Sequence, residues 1–236
     1  MPADRIPQEC EELDNLELTR LFAASGSRYG FSEVTADYAA FKDFKVKWTR
    51  SYRWATFEVS DYLSDAPAEM MRPLSETVYK RISGEKVPYP AEVREWLSAP
   101  GFVQRKRPLY IRRFEEFVPD PYGTRKDLTA SLKRLVSTGL VKDDPEVLIG
   151  WSSPNPMRSA GTSSIIMKTA SVSTALDKEY VTDDVLDYCL YAMLARISMG
   201  LNPGTAPRGD AYEDLLDEFP GRARTESELR LLRLHI

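Results

Sequence analysis

Residues 187–196 read DYCLYAMLAR, an apolar run bounded by an aspartate and an arginine. It follows an acidic start, Val181-Thr-Asp-Asp184, and runs on into Ile197-Ser-Met-Gly200. Val185, Leu186, Cys189, Leu190, Met193, Leu194 and Ile197 place apolar groups nearly all round a helix, which is the pattern of a buried one. Thr182 with acids behind it is a helix start, and Gly200 followed by Asn202-Pro-Gly204 is a stop. Arg196 falls inside this apolar segment. Burying its charge is costly, so a carboxylate partner is expected.

Working outward, the segments before this helix read as strands. Val147–Trp151 is a short strand, residues 152–162 a Pro/Gly/Ser-rich turn, and Ser163-Ser-Ile-Ile-Met-Lys168 a second strand, with Val172–Asp177 after it. Leu128, Leu132, Leu135 and Val136 predict an amphipathic helix closed by Gly139. Two more helices are expected at 210–218 and, past Phe219-Pro-Gly221, through the charged C-terminus. Further upstream, Phe44, Val46 and Trp48 alternate with Lys45, Lys47 and Thr49, a half-buried strand, and Arg53–Val59 reads as its neighbour. Asp65-Ala-Pro67 opens a helix to Ile82, with Pro73 inside it and Gly84 at its end, and Ala91–Leu97 is a second short helix. Leu13, Leu16, Leu18, Leu21 and Phe22 make one N-terminal helix. The fold class expected is therefore α+β, with an N-terminal extension at 1–40 and a single domain at 41–236.

Composition narrows the function. The 236 residues are 42% hydrophobic with a formal net charge of −4, enough for a sizeable core and against wholesale coating of nucleic acid. No run approaches the length of a membrane-spanning helix, and the polar start has no signal-peptide pattern. Cys10 and Cys189 show no framework spacing, so a cytoplasmic protein is expected. There is one histidine, His235, next to last in the chain and expected to be loosely held. Most imidazole-dependent zinc and triad chemistry is thereby excluded. Two basic stretches stand out. One is the aromatic-basic segment 42–54, read as a strand with aromatics inside and lysines in water. The other is RKRPLYIRR at 105–113, whose Arg105, Lys106, Arg107, Arg112 and Arg113 offer a weak route to DNA.

The order of words along the chain carries a resemblance. Leu148-Ile-Gly-Trp151, a polar turn, an Ile-Ile-Met strand, Ser173-Thr-Ala-Leu-Asp177, Val185–Tyr191, Arg208-Gly-Asp-Ala-Tyr212 and Glu218-Phe-Pro-Gly221 resemble the SprT-like, zincin-type metallopeptidase domains of prokaryotes, over roughly residues 41–231. The resemblance implies a zincin-like fold, a small mixed or antiparallel sheet packed by helices, one of them a buried active-site helix. In that family this helix carries His-Glu-x-x-His. Two histidines four apart reach one zinc, and the glutamate activates its water.

Laid on this chain, the first histidine position is Ala192, the glutamate Met193, the second histidine Arg196, and the third ligand Arg208. None of the four supplies the original chemistry, since alanine and methionine offer neither hard ligand nor base and arginine stays protonated. The resemblance therefore implies a catalytically inactive relative, with no zinc or other cofactor, that acts by binding an unidentified protein or peptide. Met193 and an arginine–carboxylate pair are expected to fill the pocket, with Asp210, Glu213 and Asp214 as candidate partners of Arg196 and Arg208. The alternative is a hydrolase with a relocated site, built on Cys189 beside Arg196 or on Asp183, Asp184 and Asp187.

Overall fold

The computed structural model describes residues 13–201 and 208–236, the last segment by backbone alone at 208–210. The chain is α+β, and it divides into two compact units between Trp96 and Leu97.

The first unit is a three-stranded sheet under two helices: α1 (Asn15–Gly26), β1 (Glu33–Ala39), β2 (Val46–Arg50), β3 (Trp54–Ser60) and α2 (Ala68–Ile82). Asp14 starts α1 with a reciprocal cap, its carboxylate accepting from Glu17 N at 2.7 Å while Glu17 accepts from Asp14 N at 3.2 Å. The strand order is β1-β3-β2, with β1 parallel and β2 antiparallel to β3. Phe57 and Val59 on β3 are fully buried, as are Phe22 on α1 and Tyr79 on α2. The Tyr79 hydroxyl donates to Phe22 O at 3.0 Å and lies where a side chain on Gly26 would project, so that glycine lets the two helices meet. Helix α2 continues through Pro73, whose carbonyl accepts from the Thr77 hydroxyl at 2.8 Å. Residues 33–39, expected in an extension, are instead β1, paired residue for residue with β3 from Glu33–Trp54 to Ala39–Ser60. The expected boundary at residue 40 thus falls inside this unit.

Helix α3 (Ala91–Ser98) carries the division between the units. The second unit follows with α4 (Pro100–Arg113), β4 (Phe117–Val118), α5 (Leu128–Ser137), β5 (Leu148–Ser152), β6 (Gly161–Ser164), β7 (Thr169–Ser173), α6 (Asp183–Ser198), α7 (Arg208–Asp217) and α8 (Arg222–Leu231). Its sheet has the order β4-β5-β7-β6, parallel only between β5 and β7. Trp151, Ala170 and Val172 share a face by register and belong to one buried cluster with α6.

Two expectations fail here. The strand expected over Ser163–Lys168 is not continuous. β6 stops at Ser164, and the chain turns through Lys168, which sits at φ 48° before β7 begins. The ammonium of Lys168 is held by Glu146 and Asp144, which fixes the turn. Apolar Ile165, Ile166 and Met167 read as strand, but a hairpin loop can shelter such residues as well: Met167 is 2% exposed and the two isoleucines are half-buried. The C-terminus is not loose either. His235 accepts at its carbonyl from Ala160 N at 2.7 Å and donates from its own N to Arg158 O at 3.2 Å, leaving its ring exposed.

Candidate functional site

Helix α6 is the pillar of the second unit. Thr182 caps it, its hydroxyl accepting from Val185 N at 3.4 Å, and eleven of its sixteen residues are buried. Ala192 is fully buried and Met193 is 1% exposed. Met193 lies against β6 at Gly161, where its Cγ and Sδ stand 3.2 and 3.3 Å from the place a β-carbon would take. A larger residue on that strand would displace the thioether. The flexible methionine side chain suits such a gap.

Arg196, one turn on, pairs with neither Glu213 nor Asp214 among the described residues. Its guanidinium lies over the Tyr212 ring, 4.8 Å from the centroid. The Tyr212 hydroxyl donates to the Ala192 carbonyl at 3.0 Å, locking α7 onto α6 at Ala192. Burial pushes the Tyr212 phenol up, Arg196 pulls it back, and the balance is upward, so it stays a donor at neutral pH. Glu213, a candidate partner of Arg196, is instead engaged by Arg222, which also holds Asp217 at 2.6 Å and Glu226 at 2.7 Å. Asp214 is exposed on α7. The side chains of Arg208 and Asp210 lie outside the described residues.

The relocated-site candidates are also occupied. Cys189 is fully buried, and burial pushes its thiol well up, the reverse of an activated thiolate. Asp187 accepts from Ser131 Oγ at 2.5 Å and from Arg134 Nε and Nη2 at 2.7 Å each, a bidentate pair that pins α5 to α6. Asp183 accepts from Lys126 Nζ at 2.9 Å, and that bond, against the opposing effect of burial, holds its carboxyl below the usual range. Asp184 is paired with Arg224. The three acids that looked like a cation site are each held by side-chain cations: Asp183 by Lys126 and more distantly by Arg134, Asp184 by Arg224, and Asp187 by Arg134.

Sequence reasoning missed several of these groups. Ser131 and Arg134 are polar residues of α5 that gave no motif, although Ser131 is fully buried on the same face as Leu128 and Leu135. Tyr188, whose hydroxyl donates to Glu226 at 2.7 Å, and Tyr191, which donates to Leu215 O at 2.5 Å, read simply as apolar helix residues. Their para oxygens were the available signal, because buried tyrosines find partners. In the basic stretch on α4, Arg107 donates from Nη2 to Glu146 O at 2.7 Å, and burial lowers its pKa against the pull of Glu146 and Asp144. Arg105, Lys106 and Arg113 each have partners as well, leaving Arg112 exposed on the helix. Among the described residues, no helix is long and apolar enough to cross a membrane.

No family model, curated protein or solved structure matches this chain.

Proposed function

We propose that this protein acts by binding a protein or peptide, on a zincin-like scaffold in which the catalytic positions have become packing positions. The observation that carries this reading is the use made of residues 192, 193 and 196. Ala192 is sealed and its carbonyl is held by Tyr212, Met193 fills the space at Gly161, and Arg196 is spread over the Tyr212 ring. A general base or nucleophile at these places would need a titratable side chain facing an open cleft. Cys189, the one nucleophile on this helix face, is buried with its thiol favoured over the thiolate.

The test is elemental analysis of the purified full-length chain, paired with cleavage of casein and of a quenched fluorescent peptide library. Substoichiometric metal and no cleavage above a buffer blank are expected. Zinc at one equivalent together with turnover would overturn the reading.

A further inference from the structure

The sheet of the first unit has two edges, and the protein treats them differently. Along the outer edge of β1, α1 supplies the partners a further strand would otherwise take. Thr19 Oγ1 donates to Ala36 O and accepts from Ala36 N, both at 2.9 Å, and Asn15 Oδ1 accepts from Tyr38 N at 3.0 Å. An exposed edge is a template for strand addition, and covering it in this way closes it.

Among the described residues the β2 edge has no such cover. Bonds from Ser51 N to Trp54 O at 2.9 Å and from Ser60 N to Lys45 O at 3.1 Å bracket the β2–β3 ladder. In an antiparallel pair the bonded residues alternate, so Lys47 and Thr49 turn their peptide groups toward β3 and Val46, Trp48 and Arg50 turn theirs away. Among the described residues, no hydrogen bond reaches those outward groups. From Lys47 to Arg50 the strand is exposed throughout. Trp48 lies 41% exposed in its middle, and a concavity of about 610 Å³ runs beside it, lined by Val46, Lys47, Trp48, Thr49, Thr56 and Glu58. A lysine on an edge strand is a common guard against association. A half-exposed tryptophan at the centre of the same edge is the opposite of a guard.

Charge selects the occupant. Residues 42–54 carry Lys42, Lys45, Lys47, Arg50 and Arg53 against Asp43 alone, in a chain whose net charge is −4. Edge-to-edge pairing of two copies through β2 would set these cations against one another, which is unfavourable. A nucleic acid fits poorly for a geometric reason. Trp48 shares its face with Phe57, whereas Trp54 shares the opposite face with Glu33, so bases cannot stack on both in file. On that face Lys47 and Glu58 are register partners 3.9 Å apart, a loose exposed pair that leaves the lysine able to turn outward to a peptide carboxylate.

We propose that β2 is a docking edge for an extended acidic peptide, which adds antiparallel to it as a fourth strand. Residues across from Lys45 and Lys47 would be acidic, and the residue across from Trp48 apolar, giving the peptide an alternating acidic–apolar pattern. Main-chain bonds form only where Val46, Trp48 and Arg50 point outward, so the amides of the apolar peptide residues are the ones that bond. This assignment rests on the first unit alone and stands or falls independently of the reading of α6.

The probe is a fluorescein-labelled, end-capped heptapeptide Glu-Val-Glu-Val-Glu-Val-Glu, titrated by anisotropy with the full chain. N-methylation of its valine amides is expected to weaken binding by about tenfold or more, since two or more hydrogen bonds of about 0.5–1.5 kcal/mol are lost. N-methylation of its glutamate amides leaves binding near the parent value. Lys47→Glu weakens the parent peptide by a similar factor, and its melting curve checks that the unit stays folded. The N-methyl series needs no variant and decides the matter alone. Absence of binding, equal sensitivity to both methylation patterns, or tighter binding of labelled oligo-dT than of the peptide would each overturn the proposal.

Discussion

Asp177 offers the sharpest test of how the second unit is held. It follows β7, is 9% exposed, and its carboxylate accepts three consecutive backbone N–H groups: Thr124 at 2.6 Å on Oδ2, and Arg125 and Lys126 at 2.7 and 2.8 Å on Oδ1. Gly123 opens this loop, and a β-carbon there would stand 2.8 Å from the carboxyl carbon, so the glycine is required for the carboxylate to sit so close. In Asp177→Asn one oxygen becomes an NH2. Whichever way the amide turns, at least one donor then faces a donor, and the remaining bonds lose their charge assistance. With charge-assisted bonds worth about 1.5–3 kcal/mol each, the expected loss is about 2–3 kcal/mol at neutral pH. At about 2–4 °C per kcal/mol for a chain of this size, the melting temperature should fall by about 5–10 °C.

The pH dependence of that loss has a definite sign. Burial pushes the Asp177 carboxyl up, but the bonds from Arg125, Thr124 and Lys126 outweigh it and hold its pKa below the ordinary aspartate value. A depressed folded value gives stability that is present above the unfolded pKa of about 3.9 and lost as pH falls through the folded value. Circular-dichroism melts of the two proteins from pH 7 down to pH 3 should therefore converge as the solution is acidified. Equal melting temperatures at pH 7, or a gap that persists unchanged into acid, would show that the Asp177 carboxylate does not hold this loop.

Three further outcomes are expected. A double-mutant cycle on Asp187→Ala and Arg134→Ala, read by urea unfolding, should give a coupling of about 1–3 kcal/mol, because the two side chains form a bidentate pair with the carboxylate nearly buried; additive losses would show the pair to be idle. Gly150→Ala should cost about 1–3 kcal/mol, because its β-carbon meets the Val118 carbonyl and lies 3.0 Å from Pro119 Cα, where backbone has to move; Gly139→Ala, in open space at φ 77°, should cost only about 1 kcal/mol, and the contrast in urea midpoints checks the cause. Cys189 should resist iodoacetamide in the native chain and react fully in denaturant, as followed by peptide mass spectrometry at that residue; rapid native alkylation would reopen the thiol alternative.

Residues 181–200 determined α6 by themselves. Continuous apolar coverage, a Thr cap and a terminal glycine leave a buried helix as the only favourable state, and α6 runs from Asp183 to Ser198. Period-two alternation likewise placed β2, with β3 read as its neighbour, and four-residue spacing placed α2 and α5. Local periodicity is legible because it reports which face of one element meets water. Partners across the chain are another matter. Nothing local to Arg196 says that it meets a tyrosine ring rather than Glu213, or that Asp187 is claimed by Arg134 some fifty residues earlier. Those pairings depend on which helices the tertiary fold brings side by side. The same holds for the two sheet edges. The residues of β1 and β2 are similarly polar, but only the packing of α1 beside β1 closes one edge and leaves Trp48 and its outward peptide groups on the other open to water. Sequence sets the pattern of each element, whereas edge, partner and cover are properties of the assembled fold.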